Sequence, residues 1–115
     1  MKPEAVKYMI HAQNMDRCVD FYTDVLGLEK GYVSEYWSEL KFGDAIIGVH
    51  GGGDGSNNPT GLSLQYSDVK AAHESAVNAG ATSIVAPHQR EGEPIMLGQI
   101  RDTEGNEIML TQYVG

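Results

Sequence analysis

"VKYMIHAQNMDRCVDFYTDVLGL", residues 6–28, joins two different periodicities within one short stretch. Residues 5–12 follow the two-residue alternation of a β-strand. After Asn14, a residue type that caps helices, apolar residues return at steps of three and four until Gly27. The stretch therefore predicts a strand followed by an amphipathic helix that ends at glycine.

The same order of elements occurs twice along the chain. Three strands are predicted after the first helix, at residues 30–34, 36–42 and 45–50. The second copy begins with a strand at "LSLQY" and continues with a helix that is capped by Ser67 and closed at residues 78–80. Its last three strands are predicted at residues 82–86, 95–101 and 107–113. Such a repeat predicts an α+β protein made of two βαβββ units.

The repeat also divides the chain into parts. We expect a single domain over residues 1–115, with repeat 1 at 5–50, a linker at 51–60 and repeat 2 at 61–114. The linker reads "GGGDGSNNPT", and a phosphate-binding loop would need a following Gly-Lys-Ser/Thr, which is missing. The linker is therefore predicted to be a flexible connector.

Composition and net charge limit the kinds of molecule that the protein is expected to bind. The chain has 115 residues, 41% of them hydrophobic, and a net charge of -8. An acidic surface repels nucleic acid and anionic membranes, so neutral or cationic small molecules are the expected ligands. No run approaches the roughly 18 apolar residues of a membrane span. We therefore expect a cytoplasmic protein. Cys18 is the single cysteine, so an intrachain disulfide is excluded. Its side chain is expected on the inner face of the first helix.

Three motifs in order carry a resemblance to a known family. They are "RCVDFYTDVLGLE" in the first helix, "NAGAT" after the second helix and "RDTEGNEIML" near the end. The chain resembles the vicinal oxygen chelate superfamily, which comprises glyoxalases, bleomycin-resistance proteins and extradiol dioxygenases. The resemblance implies that each unit curls its sheet into half of an open barrel. It also implies a divalent metal held by four residues, on the first, fourth, fifth and eighth strands.

The four metal positions of the family fall on unsuitable residues here. The resemblance places them at Lys7, Gly48, Leu62 and Met109. Glycine and leucine have no donor atom, a thioether suits hard divalent ions poorly, and an ammonium group repels them. We therefore predict no cofactor. The alternative is a divalent metal such as Zn, Ni, Fe or Mn at a displaced site formed by His11, His50 and Glu107.

The predicted ligand cleft lies on the inner faces of the two sheets. Its residues are Lys7, Met9, His11, Tyr36, Trp37, Gly48, His50, Leu62, Leu64, Glu107 and Met109. Methionines and flat aromatic side chains suit an apolar or aromatic small molecule. For Lys7, three roles are open: an enclosed neutral amine acting as base or Schiff-base former, a cation paired with a ligand or Glu107, or a packing stem with a solvated head.

Two further histidines, His73 and His88, are predicted to lie outside the cleft. His73 is expected on the outer face of the second helix, in solvent. His88 lies in "APHQREGEP", which reads as a loop, where it is either exposed or part of a lid over a ligand.

The leading function hypothesis is metal-free binding and sequestration of a small apolar or aromatic molecule, with cationic molecules included. An enzymatic alternative is a lyase, isomerase or dioxygenase of the same superfamily, with a displaced metal or metal-free acid-base chemistry. A third hypothesis is an interaction subunit with a vestigial cleft. The resemblance also implies a homodimer, formed side by side or by exchange of units.

Overall fold

The computed structural model describes residues 1–115 and contains two consecutive βαβββ modules. The first module consists of β1 (Lys7–His11), α1 (Met15–Asp20) with a π-helical turn (Phe21–Val25), β2 (Glu29–Val33), β3 (Trp37–Phe42) and β4 (Ala45–His50). The second consists of β5 (Asn58–Gln65), α2 (Val69–Asn78), β6 (Thr82–Gln89), β7 (Ile95–Arg101) and β8 (Asn106–Tyr113). The predicted α+β class and the duplicated unit are confirmed.

Each module contributes one four-stranded mixed sheet that does not close on itself. The strand orders are β1-β4-β3-β2 and β5-β8-β7-β6. In both sheets the first and last strands of the module pair in parallel, β1 with β4 and β5 with β8. The remaining pairs are antiparallel. The two sheets thus repeat one topology, as the internal repeat predicts.

A single hydrophobic core joins the modules. It contains 18 buried residues, among them Ile10 and Val49 from the first sheet and Ile108 and Leu110 from the second. Burying a side chain of this size contributes roughly 1.5–3 kcal/mol. Because Ile10 and Val49 face this core, their alternate neighbours in β1 and β4 are left on the opposite face of the sheet.

The helix ends differ partly from the prediction. Asn14 caps α1 as expected, since its side chain accepts a hydrogen bond from the Arg17 backbone N–H at 3.1 Å. The cap of α2 is Asp68 rather than Ser67, because the Asp68 carboxylate accepts from the Ala71 N–H at 3.1 Å. Neither helix has the length and apolar content needed to cross a bilayer.

Two strands extend beyond their predicted bounds. β5 begins at Asn58, inside the segment predicted as linker, because the Asn58 N–H donates to the Gly105 carbonyl and starts a parallel ladder with β8. β6 continues to Gln89 and pairs with β7 there. His88 is consequently a strand residue and not part of a flexible lid.

The turn before β8 fastens the second module to the first. Asn106 is fully buried, accepts from the His11 N–H at 3.0 Å and donates to the His11 carbonyl at 2.7 Å. Glu104 accepts from the Asn14 N–H and the Arg17 guanidinium, both at 2.7 Å. The "RDTEGNEIML" motif therefore holds the carboxyl end of β1 in a fixed position.

Candidate functional site

The open face of the first sheet is the face that points away from the core. Met9 in β1, Gly48 in β4 and Glu39 in β3 are register partners across three neighbouring strands. Strand alternation places Lys7, Met9 and His11 together on this face, as predicted. The open face therefore gathers predicted site residues from β1 and β4 and places Glu39 of β3 beside them.

Trp37 covers the fourth-strand position of the family. A β-carbon built on Gly48 would lie 2.5 Å from Cη2 and 2.8 Å from Cζ2 of Trp37, and 3.1 Å from the Met9 sulfur. Any larger residue at position 48 would displace the indole. Glycine at this position thus permits Trp37 and Met9 to form a continuous apolar surface.

An ion pair borders this surface. The Lys7 ammonium lies 2.8 Å from Glu39 Oε2, and the Trp37 indole N–H donates to the same oxygen at 3.1 Å. The Lys7 nitrogen is also 5.8 Å from the centre of the Trp37 ring. The hydrogen bonds from Lys7 and then from Trp37 lower the pKa of Glu39 below its ordinary value.

The observed partner of Lys7 is Glu39, and this pairing shows that two of the roles predicted for Lys7 are wrong. Glu107 is not its partner, because Glu107 lies near Arg101, at 3.9 Å. The Lys7 side chain is 41% exposed and ion-paired. It lacks the enclosed apolar surroundings that activate a Schiff-base lysine. Among the predicted roles, the structure agrees with that of a paired cation.

The four family positions do not fit a divalent metal. Gly48 offers no donor and is covered by Trp37. Lys7 carries an ammonium group bound to Glu39. Leu62 is an apolar core residue, and Met109 supplies one thioether. No chemistry that passes through a metal at these four positions follows from this donor set.

The structure corrects the face assigned to Leu62 and Leu64. In the β5–β8 ladder, Ser63 is the register partner of Met109, and Leu64 is the partner of Leu110, which is fully buried. The two leucines therefore point to the core side, away from Met109. Ser63 and Gln65 occupy the positions on the Met109 face that the leucines were predicted to fill.

Three other side chains lie away from the open face. Tyr36 is exposed in the turn before β3. Tyr66 donates its hydroxyl to the Leu26 carbonyl at 2.6 Å, and burial raises its pKa to about 12. His73 is half-buried, and its Nε2 lies 2.8 Å from the Ser83 hydroxyl of β6, so the predicted solvated position on the outer face of α2 is wrong. None of these three contributes to the surface around Trp37.

His11 and His50 come together at the ends of β1 and β4. Their ring centres are 5.7 Å apart. Glu107 does not complete a cluster with them, because no group of three or more histidine, cysteine, aspartate or glutamate side chains is placed to hold a metal. The predicted three-residue metal alternative is therefore not assembled by the chain.

A separate apolar groove, the junction groove, lies between the first sheet and β5. Its volume is about 660 Å³. Its wall contains no charged side chain and includes Tyr8, Leu28, Phe42, Leu62, Leu64 and Tyr66. Tyr8 and Ile47 are register partners on the core side of the first sheet, so the junction groove and the open face lie on opposite sides of that sheet.

Glu39 is the site residue that the sequence prediction missed. Its signal was present in "WSELKF", where Ser38 and Leu40 are buried and alternate with Trp37 and Glu39. A residue two positions from Trp37 in a strand shares its face. The alternation alone would have placed Glu39 next to the indole.

Two four-stranded mixed sheets built from repeated βαβββ units define the class, the vicinal oxygen chelate superfamily. A family model described as a glyoxalase-like domain matches residues 7–111. The chain therefore belongs to the glyoxalase-like domain family. A comparison with curated protein sequences gave no significant match.

Solved structures share the fold at low sequence identity. A glyoxalase/bleomycin resistance protein/dioxygenase family enzyme from Burkholderia phytofirmans PsJN is 19% identical, with TM-score 0.76 and coverage of 93% of this chain and 96% of that one. The bleomycin-binding protein of Streptomyces verticillus, complexed with copper(II)-bleomycin, is 19% identical, with TM-score 0.69 and 96% coverage of both chains. A lactoylglutathione lyase from Agrobacterium tumefaciens is 17% identical, with TM-score 0.73 and coverage of 96% and 95%.

Proposed function

We propose that the protein binds a small planar apolar or aromatic molecule on the open face of the first sheet, without a metal at the four family positions. The observation that carries this proposal is the indole of Trp37 lying over Gly48, beside the Met9 sulfur. A flat indole and an adaptable thioether form a suitable platform for stacking an aromatic ring. The biological role that follows is sequestration of such a molecule.

Charge selects among planar ligands. Glu39 at the edge of the platform is paired with the Lys7 ammonium, so these two side chains together add no net charge there. The whole chain carries a net charge of -8, which attracts cations and repels anions. The face of an indole ring also attracts cations. The preferred ligand is therefore neutral or cationic, and anionic analogues bind more weakly.

The fold similarity is compatible with the proposed binding role but does not distinguish that role from an enzymatic one. The Streptomyces verticillus structure shows that one protein of this fold binds a drug. The Agrobacterium tumefaciens lyase shows that the same fold also serves an enzyme. The absence of usable donors at Lys7, Gly48, Leu62 and Met109 favours the binding role for this chain.

We further propose that the protein acts as a homodimer in the cytoplasm. Large apolar side chains remain exposed on the monomer, and these include Met9, Tyr32, Val33, Phe42, Met109 and Tyr113. A second copy is the partner that would cover such strands and enclose a ligand on the open face. Light scattering at micromolar concentration should give twice the chain mass of 12.5 kDa. One chain mass across a tenfold dilution series would contradict the dimer.

Trp37 is the single tryptophan of the chain, so its fluorescence reports on the proposed platform alone. Wild-type protein would be titrated with ethidium as a planar cation, 2-naphthol as a neutral ring and 2-naphthoate as an anion. The proposal predicts saturable fluorescence changes with the first two and weaker binding of the third. Calorimetry should show that Trp37→Ala loses binding and Trp37→Phe retains part of it. Equal affinity of Trp37→Ala and wild type for every probe would contradict the proposal.

A further inference from the structure

His11 and His50 form a pair that the proposed platform does not use. They are direct register partners on the neighbouring parallel strands β1 and β4. Their ring centres are 5.7 Å apart with an interplanar angle of 49°. Both side chains lie on the open face, at its carboxyl end, by strand alternation from Met9 and Gly48. Neither residue belongs to the four family metal positions.

Hydrogen bonds orient the ring of His50 and hold the main chain of His11 in place. His50 Nδ1 lies 2.6 Å from the Gly51 carbonyl, so this nitrogen carries the proton and Nε2 presents a lone pair. A histidine that donates one nitrogen to a carbonyl while the other binds metal is the common arrangement in metal sites. The His11 main chain is clamped at both its N–H and its carbonyl by buried Asn106.

The separation of the rings suits one shared ion. With metal–nitrogen bonds of about 2.0–2.1 Å and each ring centre roughly 1.1 Å behind its nitrogen, two imidazoles on one ion have centres about 5–6 Å apart. The observed 5.7 Å lies within that range. His11 also borders a polar cavity of about 350 Å³ lined by Asp54, whose negative charge favours a cation nearby, and by Glu104, whose charge is paired with Arg17.

We propose that His11 and His50 bind one borderline transition-metal ion, such as Zn²⁺, Cu²⁺ or Ni²⁺, and leave its other coordination positions to water or to donor atoms of a ligand. Two imidazoles favour these ions over Mg²⁺ or Ca²⁺, which take oxygen ligands. The inference stands on the histidine pair alone. Its failure would leave the Trp37 platform unaffected, and failure of the platform would leave the metal pair unaffected.

Full-length protein, freed of any purification tag and of metal, would be titrated with Zn²⁺ by calorimetry. Electron paramagnetic resonance with Cu²⁺ would count the bound nitrogens. We expect one ion per chain and two coordinating nitrogens. His11→Ala and His50→Ala should each weaken Zn²⁺ binding by about tenfold or more. His73→Ala, which removes a half-buried histidine of α2 that is remote from the pair, should leave the affinity unchanged.

His11→Asn and His50→Asn provide a second pair of variants with smaller changes in shape, in case either alanine variant unfolds. Circular dichroism would confirm the fold of each protein. Unchanged Zn²⁺ affinity in folded variants at both positions would overturn the proposal. A Cu²⁺ spectrum with fewer than two nitrogens, or an equal loss of affinity in His73→Ala, would overturn it as well.

Discussion

The six-membered ring of Trp37 lies over Gly48 so closely that a single β-carbon at position 48 would approach Cη2 to 2.5 Å. The resemblance to the vicinal oxygen chelate superfamily implies a metal-ligand position at residue 48. Here this position supplies the space in which an indole rests. At this position the open face of the first sheet therefore carries an indole and a thioether, bordered by the Lys7–Glu39 pair.

Gly48→Ala should displace the indole of Trp37. The clash involves the far end of the Trp37 side chain, so we expect rotation of the ring and a loss of about 1–3 kcal/mol in the free energy of unfolding. Fluorescence emission of Trp37 should shift to longer wavelength as the ring enters solvent. The matched control is Gly61→Ala, because nothing lies within 4 Å of a β-carbon there. Identical emission and urea midpoints for wild type and Gly48→Ala would refute the contact.

Lys7→Gln should raise the pKa of Glu39 toward the ordinary glutamate value of 4.5. The Lys7 hydrogen bond is the largest cause that lowers this pKa, and Trp37 is the second. Because the folded pKa is the lower one, the interaction stabilises the fold above pH 4.5 and loses that effect as pH falls through the lowered value.

Carbon-13 NMR of the glutamate carboxylates over an acid titration measures this pKa directly. Lys41→Gln is the control, since Lys41 acts on Glu39 only through a weaker coulombic effect. A Glu39 titration curve that is the same in Lys7→Gln and wild type would show that the ion pair does not persist in solution.

Asn106→Ala should weaken the attachment of β1 to the second module. The change leaves the His11 N–H and carbonyl and the Asn58 amide without their partner. A fully buried group left unpaired costs about 1–3 kcal/mol, and each of these partly buried groups costs less. We expect the free energy of unfolding to fall by about 2–4 kcal/mol in total. Asn57→Ala is the control, because Asn57 holds the exposed Arg101 side chain only. Equal urea midpoints for the two variants would be inconsistent with a buried clamp.

Comparison of two engineered variants should verify the corrected face of β5. Ser63 is the register partner of Met109, so Ser63→His with Met109→Glu places two ligands side by side. Leu62→His with Met109→Glu places its histidine in the core and should instead lower stability. With His11→Ala and His50→Ala added to both proteins to remove the proposed histidine pair, we expect calorimetry to show measurable Zn²⁺ affinity in the first double variant and none in the second. The reverse order of affinities would return Leu62 to the Met109 face.

The repeat made most of the fold predictable, and register limited the prediction of the site. Periodicity reported the element order and placed Lys7, Met9 and His11 on one face. In β5 it failed, because the ladder with β8 shifts between Pro59 and Ser63, and a one-residue change exchanges the faces of a strand. The Lys7–Glu39 pair spans from β1 across β4 to β3. Its formation depends on strand order and register, which a linear pattern does not contain.

Locating a bound ligand on the protein is the most direct test of whether the Trp37 platform on the open face is the binding site. Amide NMR spectra of the wild-type protein would be recorded during titration with ethidium in the presence of a chelator. We predict that the single indole N–H signal of Trp37 and the amides of Met9 and Gly48 shift most, and that the chelator does not reduce binding. Shifts confined to the junction groove, at Tyr8, Leu28, Leu64 and Tyr66, would contradict the central claim and assign the ligand to the opposite side of the first sheet.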